Sequence, residues 1–188
     1  MNYEQILIEI MANERYQNGI RWGKPRSGHP EGTIAAHIAE LEENLERLSS
    51  RLSGDESAKI RLLIHTHDTF KGEAKSGVAV INPQSHASIA CRFLAEFCDE
   101  ADLLNMAQFH DEHYAIFWRI KPETGFDQDR LASLFARIRD WNLFLAFIVV
   151  DGCTKGKSAN PVEWIIRQSA GFVESRVDES WIIRHTYG

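Results

Sequence analysis

The segment from Leu62 to Lys71 places an adjacent His-Asp pair directly after an apolar run, and this feature most constrains how the chain can fold. It reads Leu-Leu-Ile-His-Thr-His-Asp-Thr-Phe-Lys, so His67 and Asp68 follow residues typical of a packed interior. An unpaired carboxylate and imidazole buried there would cost several kcal/mol in desolvation. A divalent metal removes that cost, because imidazole nitrogen and carboxylate oxygen are both metal ligands.

Further ligand-type residues lie in apolar segments of their own, namely His37, His86, His110 and Asp151. Asp151 directly follows the most apolar segment, where a buried carboxylate needs a partner. Taken singly, each histidine is more often a hydrogen-bonded core residue than a ligand, so a helical bundle with satisfied core histidines is an alternative. The set as a whole favours a metal site in the core.

The composition is that of a globular domain with an acidic surface. The 188 residues suffice for one hydrophobic core and are too few for two, with 44% hydrophobic and 26% charged residues. The net charge of -6 and the pI of about 5.7 argue against a protein that holds nucleic acid on a broad basic surface. A small anionic substrate bound by a few local cations remains compatible with this charge.

Cysteine usage and hydropathy favour a soluble cytoplasmic protein. Cys91, Cys98 and Cys153 are odd in number and form no C-x-x-C pair, so we expect no disulfide framework. The N-terminus lacks the basic and apolar regions of a signal peptide. No segment approaches the roughly 20 apolar residues that span a bilayer, and we therefore expect no membrane association.

Apolar residues recur at helical spacing along most of the chain, which predicts an all-α fold. The predicted helices cover residues 3–17, 34–52, 56–69, 85–97, 103–117, 129–150 and 161–176. Thr33 can cap the second of these helices. The run Val78–Ile81 between helices is predicted to be a buried crossing segment, and the last residues, 181–187, a strand-like or docked tail.

Two groups of basic residues are candidate anion ligands. Lys71 follows Asp68 by three residues, which places its ammonium about one helical turn beyond the predicted metal; the alternative is a cation stabilised by the helix dipole. The glycine- and proline-rich loop 18–33 carries Arg21 and Trp22 and is a candidate anion-binding lip. Its alternative interpretation is a solvated loop.

The order His37, His67-Asp68, His86, His110, Asp151 resembles the HD-domain superfamily of metal-dependent phosphohydrolases. The resemblance spans residues 34 to 151 and includes the His-Asp-x-x-Lys form at 67–71. The lead-in Gly28-His29-Pro30-Glu31-Gly32-Thr33 is similar to that of HD domains appended to some bacterial tRNA nucleotidyltransferases. The Arg21-Trp22 pair is similar to one in HD-domain nucleoside monophosphate phosphatases. The implied architecture is a single HD-type helical bundle with its metal site at the centre.

The resemblance also implies a ligand set and the chemistry that goes with it. One metal would be held by His37, His67, Asp68 and Asp151, and a second by His86 and His110 with Asp68 as the bridge. Mixed imidazole and carboxylate ligation suits Mn, Fe, Co, Ni or Zn. Where the family often has His-His-Glu, this chain has His110-Asp111-Glu112, which leaves Asp111 open as an additional ligand or a base, and His113 at most as a supporting residue.

The implied function is hydrolysis of a nucleotide or another small phosphoester by a metal-activated water. Asp68, Lys71 and Arg21 are the candidate catalytic residues, and Lys155 is a further candidate for phosphate neutralisation. Two alternatives stay open: a di-iron oxygenase on the same scaffold, and a sensor that binds a nucleotide without turnover. We expect no stable nucleic-acid complex; the oligomeric state is open, with a homodimer among the alternatives.

Overall fold

The computed structural model describes residues 1–26 and 30–185, and this part of the chain is mostly helical and contains no β-sheet. The α-helices are α1 Tyr3–Ala12, α2 Glu14–Gly19, α3 Ile34–Leu48, α4 Gly54–Thr66, α5 His86–Leu94, α6 Ala101–Phe109, α7 Glu112–Phe117, α8 Gln128–Arg137, α9 Trp141–Gly152 and α10 Asn160–Ser169. The prediction of an all-α fold is confirmed. Gly28 and His29 of the predicted lead-in, and Thr186 and Tyr187 of the predicted tail, lie outside the described residues.

Side-chain caps fix where the helices that carry the site begin. The Thr33 hydroxyl accepts a hydrogen bond from the Ala36 amide at the start of α3, as predicted. Ser53 and Glu56 form a capping box at the start of α4, and Ser85 caps α5. Because a cap satisfies amides that have no partner within the helix, these positions determine the residues with which each helix begins.

The helices α4 and α9 form the centre of the core. Helix α4 packs against α1, α3, α5, α6 and α9. In α9 every residue except Asn142 is buried, and the run from Leu62 to Ile64 in α4 is buried to at least 99%. The two segments that the sequence marks as interior therefore lie next to each other, with a polar residue at the end of each.

Two of the predicted long helices are wrong, because the structure divides each of them into two helices. Residues 3–17 divide at Asn13, whose side chain accepts from the Arg15 amide and so caps α2. Residues 103–117 divide after Phe109, where His110 Nδ1 donates to the Ala107 carbonyl. Such local side-chain bonds compete with helix continuation, and apolar periodicity does not reveal them.

The predicted helix 129–150 is likewise two helices, α8 and α9, that meet at an angle set by a tertiary contact. The carboxylate of Asp102 accepts from the amides of Arg139 and Asp140 at 2.9 and 2.8 Å. The side chain of Asp140 in turn caps α9 by accepting from the Leu143 amide. The break thus depends on a residue more than 30 positions away, which the local sequence cannot show.

Three smaller predictions also need correction or comment. The final helix is shorter than predicted, since α10 ends at Ser169. The predicted buried crossing segment Val78–Ile81 is only partly buried: Val78 and Val80 are half-buried and Val80 packs against the core, whereas Ile81 is 66% exposed. Among the residues described, no helix combines the length and apolar character needed to cross a membrane.

Candidate metal centre

All six residues predicted as metal ligands lie together at the centre of the bundle. His37 comes from α3, Asp151 from α9, and His86 from the first residue of α5. His67 and Asp68 directly follow α4, and His110 directly follows α6. They form two groups that could each hold a metal ion, and in each group the potential ligand atoms lie within 4.8 Å of one another. We call His37, His67 and Asp151 the deep triad, and Asp68, His86 and His110 the open triad.

The deep triad is buried in the core. His37 Nε2 lies 3.1 Å from Asp151 Oδ1, and His67 Nε2 lies 3.7 Å from the same oxygen. Their side chains are at most 7% exposed. The three ligand atoms therefore converge where solvent has little access, with Asp151 bordering the pocket described below.

The open triad lies at the floor of a pocket. His86 Nε2 and His110 Nε2 are 3.3 Å apart, and each lies 3.6 Å from Asp68 Oδ1. His110 is buried, but the side chain of His86 is 21% exposed. This triad is thus reached from solvent through His86.

The carboxylate of Asp68 spans the two triads. Its Oδ1 atom belongs to the open triad, as described above, while its Oδ2 atom lies 3.5 Å from His67 Nε2 and 3.8 Å from His37 Nε2. One oxygen faces each group of ligands. This is the arrangement that a carboxylate needs in order to bridge two cations.

The distances between the donor atoms suit ligands of a shared cation better than they suit direct hydrogen bonds between these atoms. Two ligands of one ion with bonds of about 2.0–2.2 Å lie roughly 3–3.5 Å apart, close to the separations seen here. Within the described part of the chain, His67 Nε2 and Asp68 Oδ1 have no hydrogen-bond partner although both are buried. Buried polar atoms without partners are rare and call for an explanation, and a cation in each triad supplies one.

Hydrogen bonds to the other ring nitrogens orient the histidines toward the cluster. His67 Nδ1 lies 2.9 Å from the Leu63 carbonyl oxygen, and His110 Nδ1 lies 2.9 Å from that of Ala107. Because a carbonyl oxygen only accepts, Nδ1 carries the proton, and Nε2 presents its lone pair to the cluster in the neutral ring. His37 Nδ1 lies 3.4 Å from Glu31 Oε1, the carboxylate-histidine pairing that supports many metal ligands.

Two lysines lie against the bridging and the deep carboxylates. Lys71 Nζ is 2.5 Å from Asp68 Oδ2, and Lys157 Nζ is 2.9 Å from Asp151 Oδ1. Burial would raise the pKa of both carboxylates, but Lys71 and His67 hold the pKa of Asp68 well below its usual range. Lys157 and His37 have the same effect on the pKa of Asp151. Both carboxylates are therefore ionised and available as ligands.

The histidine pKa values respond to burial and to carboxylates in opposite directions. Burial lowers the pKa of His67, and its carboxylate neighbours do not reverse the shift, so its neutral, ligating form is favoured. Burial also opposes protonation of His110, but Asp111 and Asp68 outweigh it and raise the pKa to about 9. Burial likewise opposes protonation of His37, but Asp151 and Glu31 outweigh it and raise the pKa of this ring, so a carboxylate favours positive charge in both triads.

The pocket above the open triad has a volume of about 750 Å³ and is lined by both charged and aromatic side chains. Its lining includes Trp22, Asp68, Lys71, Lys75, Val78, Val80, His86, Asp111, Tyr114, Trp118, Arg119, Asp151 and Lys157. The indole of Trp22 lies on Gly72, where an added Cβ would come within 2.6 Å of the ring. Gly72 therefore allows Trp22 to form a wall of the pocket.

Two predicted anion ligands lie away from this pocket. Arg21 is exposed, and its neighbour Trp22 lines the pocket in its place. Lys155 is also exposed; its backbone amide donates to Glu40 Oε1. The sequence interpretation missed Lys157, which contacts Asp151. The only signal was a second lysine in the same turn, and the direction of that turn is fixed by tertiary contacts.

Asp111 and Tyr114 add two functional groups to the pocket. Asp111 Oδ2 lies 3.1 Å from His86 Nε2 and 3.7 Å from His110 Nε2, so Asp111 adjoins the open triad. The Tyr114 hydroxyl is buried without a hydrogen-bond partner among the described residues, and burial raises the pKa of this phenol, which keeps it a proton donor. His113 is fully enclosed, and burial lowers its pKa to about 4.

Comparisons with known proteins give no relative for this chain: no protein-family model matches it, and neither the curated proteins nor the solved structures contain a match.

Proposed function

We propose that this protein is a metal-dependent phosphohydrolase that acts on a nucleotide or another small phosphoester, built on an HD-type helical bundle. The observation that carries the proposal is the position of Asp68, whose two oxygens face two separate triads at the floor of a pocket that contains lysines. A carboxylate shared between two groups of ligands is typical of sites that hold a pair of cations, and phosphatases are prominent among enzymes with such sites.

Different residues of the chain would bind the cations and the phosphate of the substrate. Bound cations in such a site supply polarisation of a phosphoryl oxygen and a water of lowered pKa. The two triads, joined by Asp68, would hold these cations. Lys71 and Lys157 each contact a ligand carboxylate and line the pocket, so both are within reach of the phosphate oxygens of a substrate. Their charge would stabilise the negative charge of the transferring group.

The aromatic side chains in the walls of the pocket favour a substrate with an apolar or aromatic portion. Trp22, Tyr114 and Trp118 present ring surfaces to the pocket, and rings of this kind stack on flat groups such as nucleobases. The Tyr114 hydroxyl, which lacks a partner within the described residues, is a hydrogen-bond donor available to the substrate. A volume of about 750 Å³ is sufficient for a mononucleotide.

The test combines metal analysis with a hydrolysis assay on wild type, Asp68→Asn and His185→Gln. His185 bonds to the Cys153 carbonyl, outside both triads, and serves as the matched control. We expect about two equivalents of metal in wild type and in the control, with metal-dependent release of phosphate from nucleotides or small phosphoesters. Asp68→Asn should lose the activity and at least the metal of the open triad, because Asp68 is a ligand of that triad and a neutral amide cannot bridge two cations.

Three results would count against the proposal. Full hydrolysis by Asp68→Asn would show that the phosphatase activity lies elsewhere. Oxygen consumption by the iron-loaded protein, without phosphate release, would favour the oxygenase alternative. Tight nucleotide binding with no turnover across Mn, Fe, Co, Ni and Zn would favour the sensor.

A further inference from the structure

A second pocket of about 440 Å³ lies beside the pocket of the metal centre. It is lined by residues 77–81 of the loop before α5 and by Phe109, Glu112, Ala115, Arg119, Arg130, Ser133, Leu134 and Arg137. We call it the basic groove, because three of these side chains are arginines. Glu112 is the only carboxylate among the lining residues.

The three arginines are not equally neutralised. Arg130 Nε lies 2.5 Å from Glu112 Oε2, and the side chain of Glu112 is 8% exposed, so this pair is fixed in the wall. Among the described residues, the side chain of Arg137 donates a hydrogen bond only to the neutral Ser133 hydroxyl, at 3.3 Å, and its guanidinium lies 4.8 Å from the centre of the Phe109 ring. Within the described part of the chain, the Arg119 side chain has no hydrogen bond or ion pair. The groove therefore carries two uncompensated positive charges in a protein of net charge -6.

The geometry of the groove suits an anion with several oxygens. Arg130 and Arg137 are seven residues apart on α8 and so share a face of this helix, about 10 Å apart along its axis. Guanidinium groups bind phosphate through paired N–H donors. The ring of Phe109 and the Glu112 carboxylate orient two of the three guanidinium groups, which reduces the entropy lost when an anion binds.

The basic groove is continuous with the pocket of the metal centre. Gly77, Val78, Val80, Ala115 and Arg119 line both. A molecule that places one end at the open triad can therefore extend past Arg119 into the groove. The two volumes together are larger than a single phosphoryl group and its immediate substituent require.

We propose that the basic groove binds a phosphate-type dianion through Arg119 and Arg137. The dianion is either the second phosphate of a substrate that spans both pockets or a free phosphate or pyrophosphate ion that acts on the site. The anion site stands on the groove alone, whereas its assignment to a substrate rests on the proposed function.

The first experiment measures binding of inorganic pyrophosphate to the metal-free protein by calorimetry at near-physiological salt. The variants are Arg137→Ala and Arg119→Ala, with Arg139→Ala as the matched control, since Arg139 is exposed and lies outside the groove. We expect each groove variant to bind about tenfold more weakly, the usual effect of losing one charged hydrogen-bonding partner, and the control to bind as wild type does.

Equal affinities in all four proteins, or an equal loss in Arg139→Ala, would overturn the proposal. Thermal unfolding checks that each variant is folded. Should Arg137→Ala unfold, Arg119→Ala decides the question, because the Arg119 side chain is exposed and has no hydrogen bond or ion pair to another described residue.

The second experiment identifies the source of the dianion. With the metal-loaded enzyme, the KM of a sugar bisphosphate is compared with that of the matching monophosphate. If the substrate supplies the dianion, the KM of the bisphosphate divided by that of the monophosphate rises about tenfold in Arg137→Ala. This ratio is unchanged in Arg139→Ala. If a free ion supplies it, inorganic phosphate alters hydrolysis of the monophosphate in wild type more than in Arg137→Ala.

The two proposals can fail separately. Pyrophosphate binding that depends on Arg137, in a protein that hydrolyses no phosphoester, would retain the anion site and reject the phosphohydrolase. Hydrolysis of a phosphoester, together with pyrophosphate binding that is independent of Arg119 and Arg137, would retain the phosphohydrolase and reject the anion site.

Discussion

The two triads contain the same kinds of ligand but differ in their surroundings. In the deep triad, His37 lies in the second turn of α3, Asp151 lies near the C-terminal end of α9, and His67 directly follows α4, all within the core. The open triad draws its residues from helix ends, with His86 at the start of α5 and His110 after α6. The deep ligands are at most 7% exposed, whereas His86 is 21% and the adjoining Asp111 35% exposed.

This difference assigns different tasks to the two triads. A ligand set whose side chains are almost inaccessible to solvent is held by the packing around it, so its ion exchanges slowly. The open triad, whose His86 is partly exposed, faces the pocket and can exchange ions and contact substrate. We therefore expect a tightly held ion in the deep triad and a more labile, substrate-facing ion in the open triad.

The largest expected effect comes from removing one triad at a time. His86→Ala should lower the metal content from about two equivalents to about one and remove the ion that a chelator extracts quickly. His37→Ala should also lose about one equivalent, but the slowly extracted one, because a ligand of the buried triad is then removed. The rate of metal transfer to a chelator distinguishes the two, and loss of the same kinetic phase in both variants would contradict the comparison.

Lys157→Met tests whether the ammonium of Lys157 compensates the negative charge of the Asp151 carboxylate in the deep triad. Lys157 and Asp151 are both largely buried, at 13% and 7% exposure, and removing one partner of a buried ion pair costs about 3–5 kcal/mol. We expect about 3 kcal/mol lower unfolding free energy for the metal-free protein, and a smaller difference with saturating Zn²⁺ or Mn²⁺, whose charge replaces that of the ammonium.

The matched control for this change is Lys155→Met, two residues earlier. Its side chain is exposed and has no partner in the described part of the chain, so urea denaturation should give a change within about 0.5 kcal/mol. Equal destabilisation by both substitutions would mean that Lys157 does not act through Asp151.

Glu31→Gln probes the support of the deep triad without removing a ligand. The carboxylate of Glu31 lies 3.4 Å from His37 Nδ1 and increases the basicity of the ring. Loss of such a partner typically weakens metal affinity by about 10- to 100-fold. We expect the deep ion alone to weaken by this factor in competition with a chelator. A weakening confined to the open ion would reverse the assignment.

Asp111→Asn should have the smallest effect, and on the open triad only. Asp111 adjoins His86 but is partly exposed, so solvent screens its charge. We expect an affinity about tenfold lower, the low end for a supporting residue, measured by the same competition assay. An effect as large as that of His86→Ala would instead make Asp111 a ligand.

The sequence predicted the helical fold and the candidate ligands for the same physical reason. Polar groups that can bind metal are costly to bury without a partner, so a histidine or aspartate inside an apolar segment stands out from the sequence alone. The six candidate ligands were found in this way, and the family resemblance implied how they divide between two metals. Membership of that family remains a prediction.

Other features depended on contacts that no local pattern contains. The break before α9 requires Asp102, a residue of α6, so periodicity predicted one long helix where there are two. Lys157 rather than Lys155 faces the pocket because the turn after α9 is held by Glu40 of α3. Arg21 was predicted to bind the substrate, and Trp22 lines the pocket instead.

The sequence by itself determined which side chains are candidate metal ligands, because desolvation depends on residue type and on apolar neighbours within a few positions. The family resemblance implied a division between two metals, and only the tertiary structure shows the contacts that bring the ligands into two groups. His37 and Asp151 are 114 positions apart in the chain and 3.1 Å apart in space, and the two oxygens of Asp68 face different triads. Spacing along a helix extends over a few turns, whereas helix packing joins distant segments and so places each ligand in its triad.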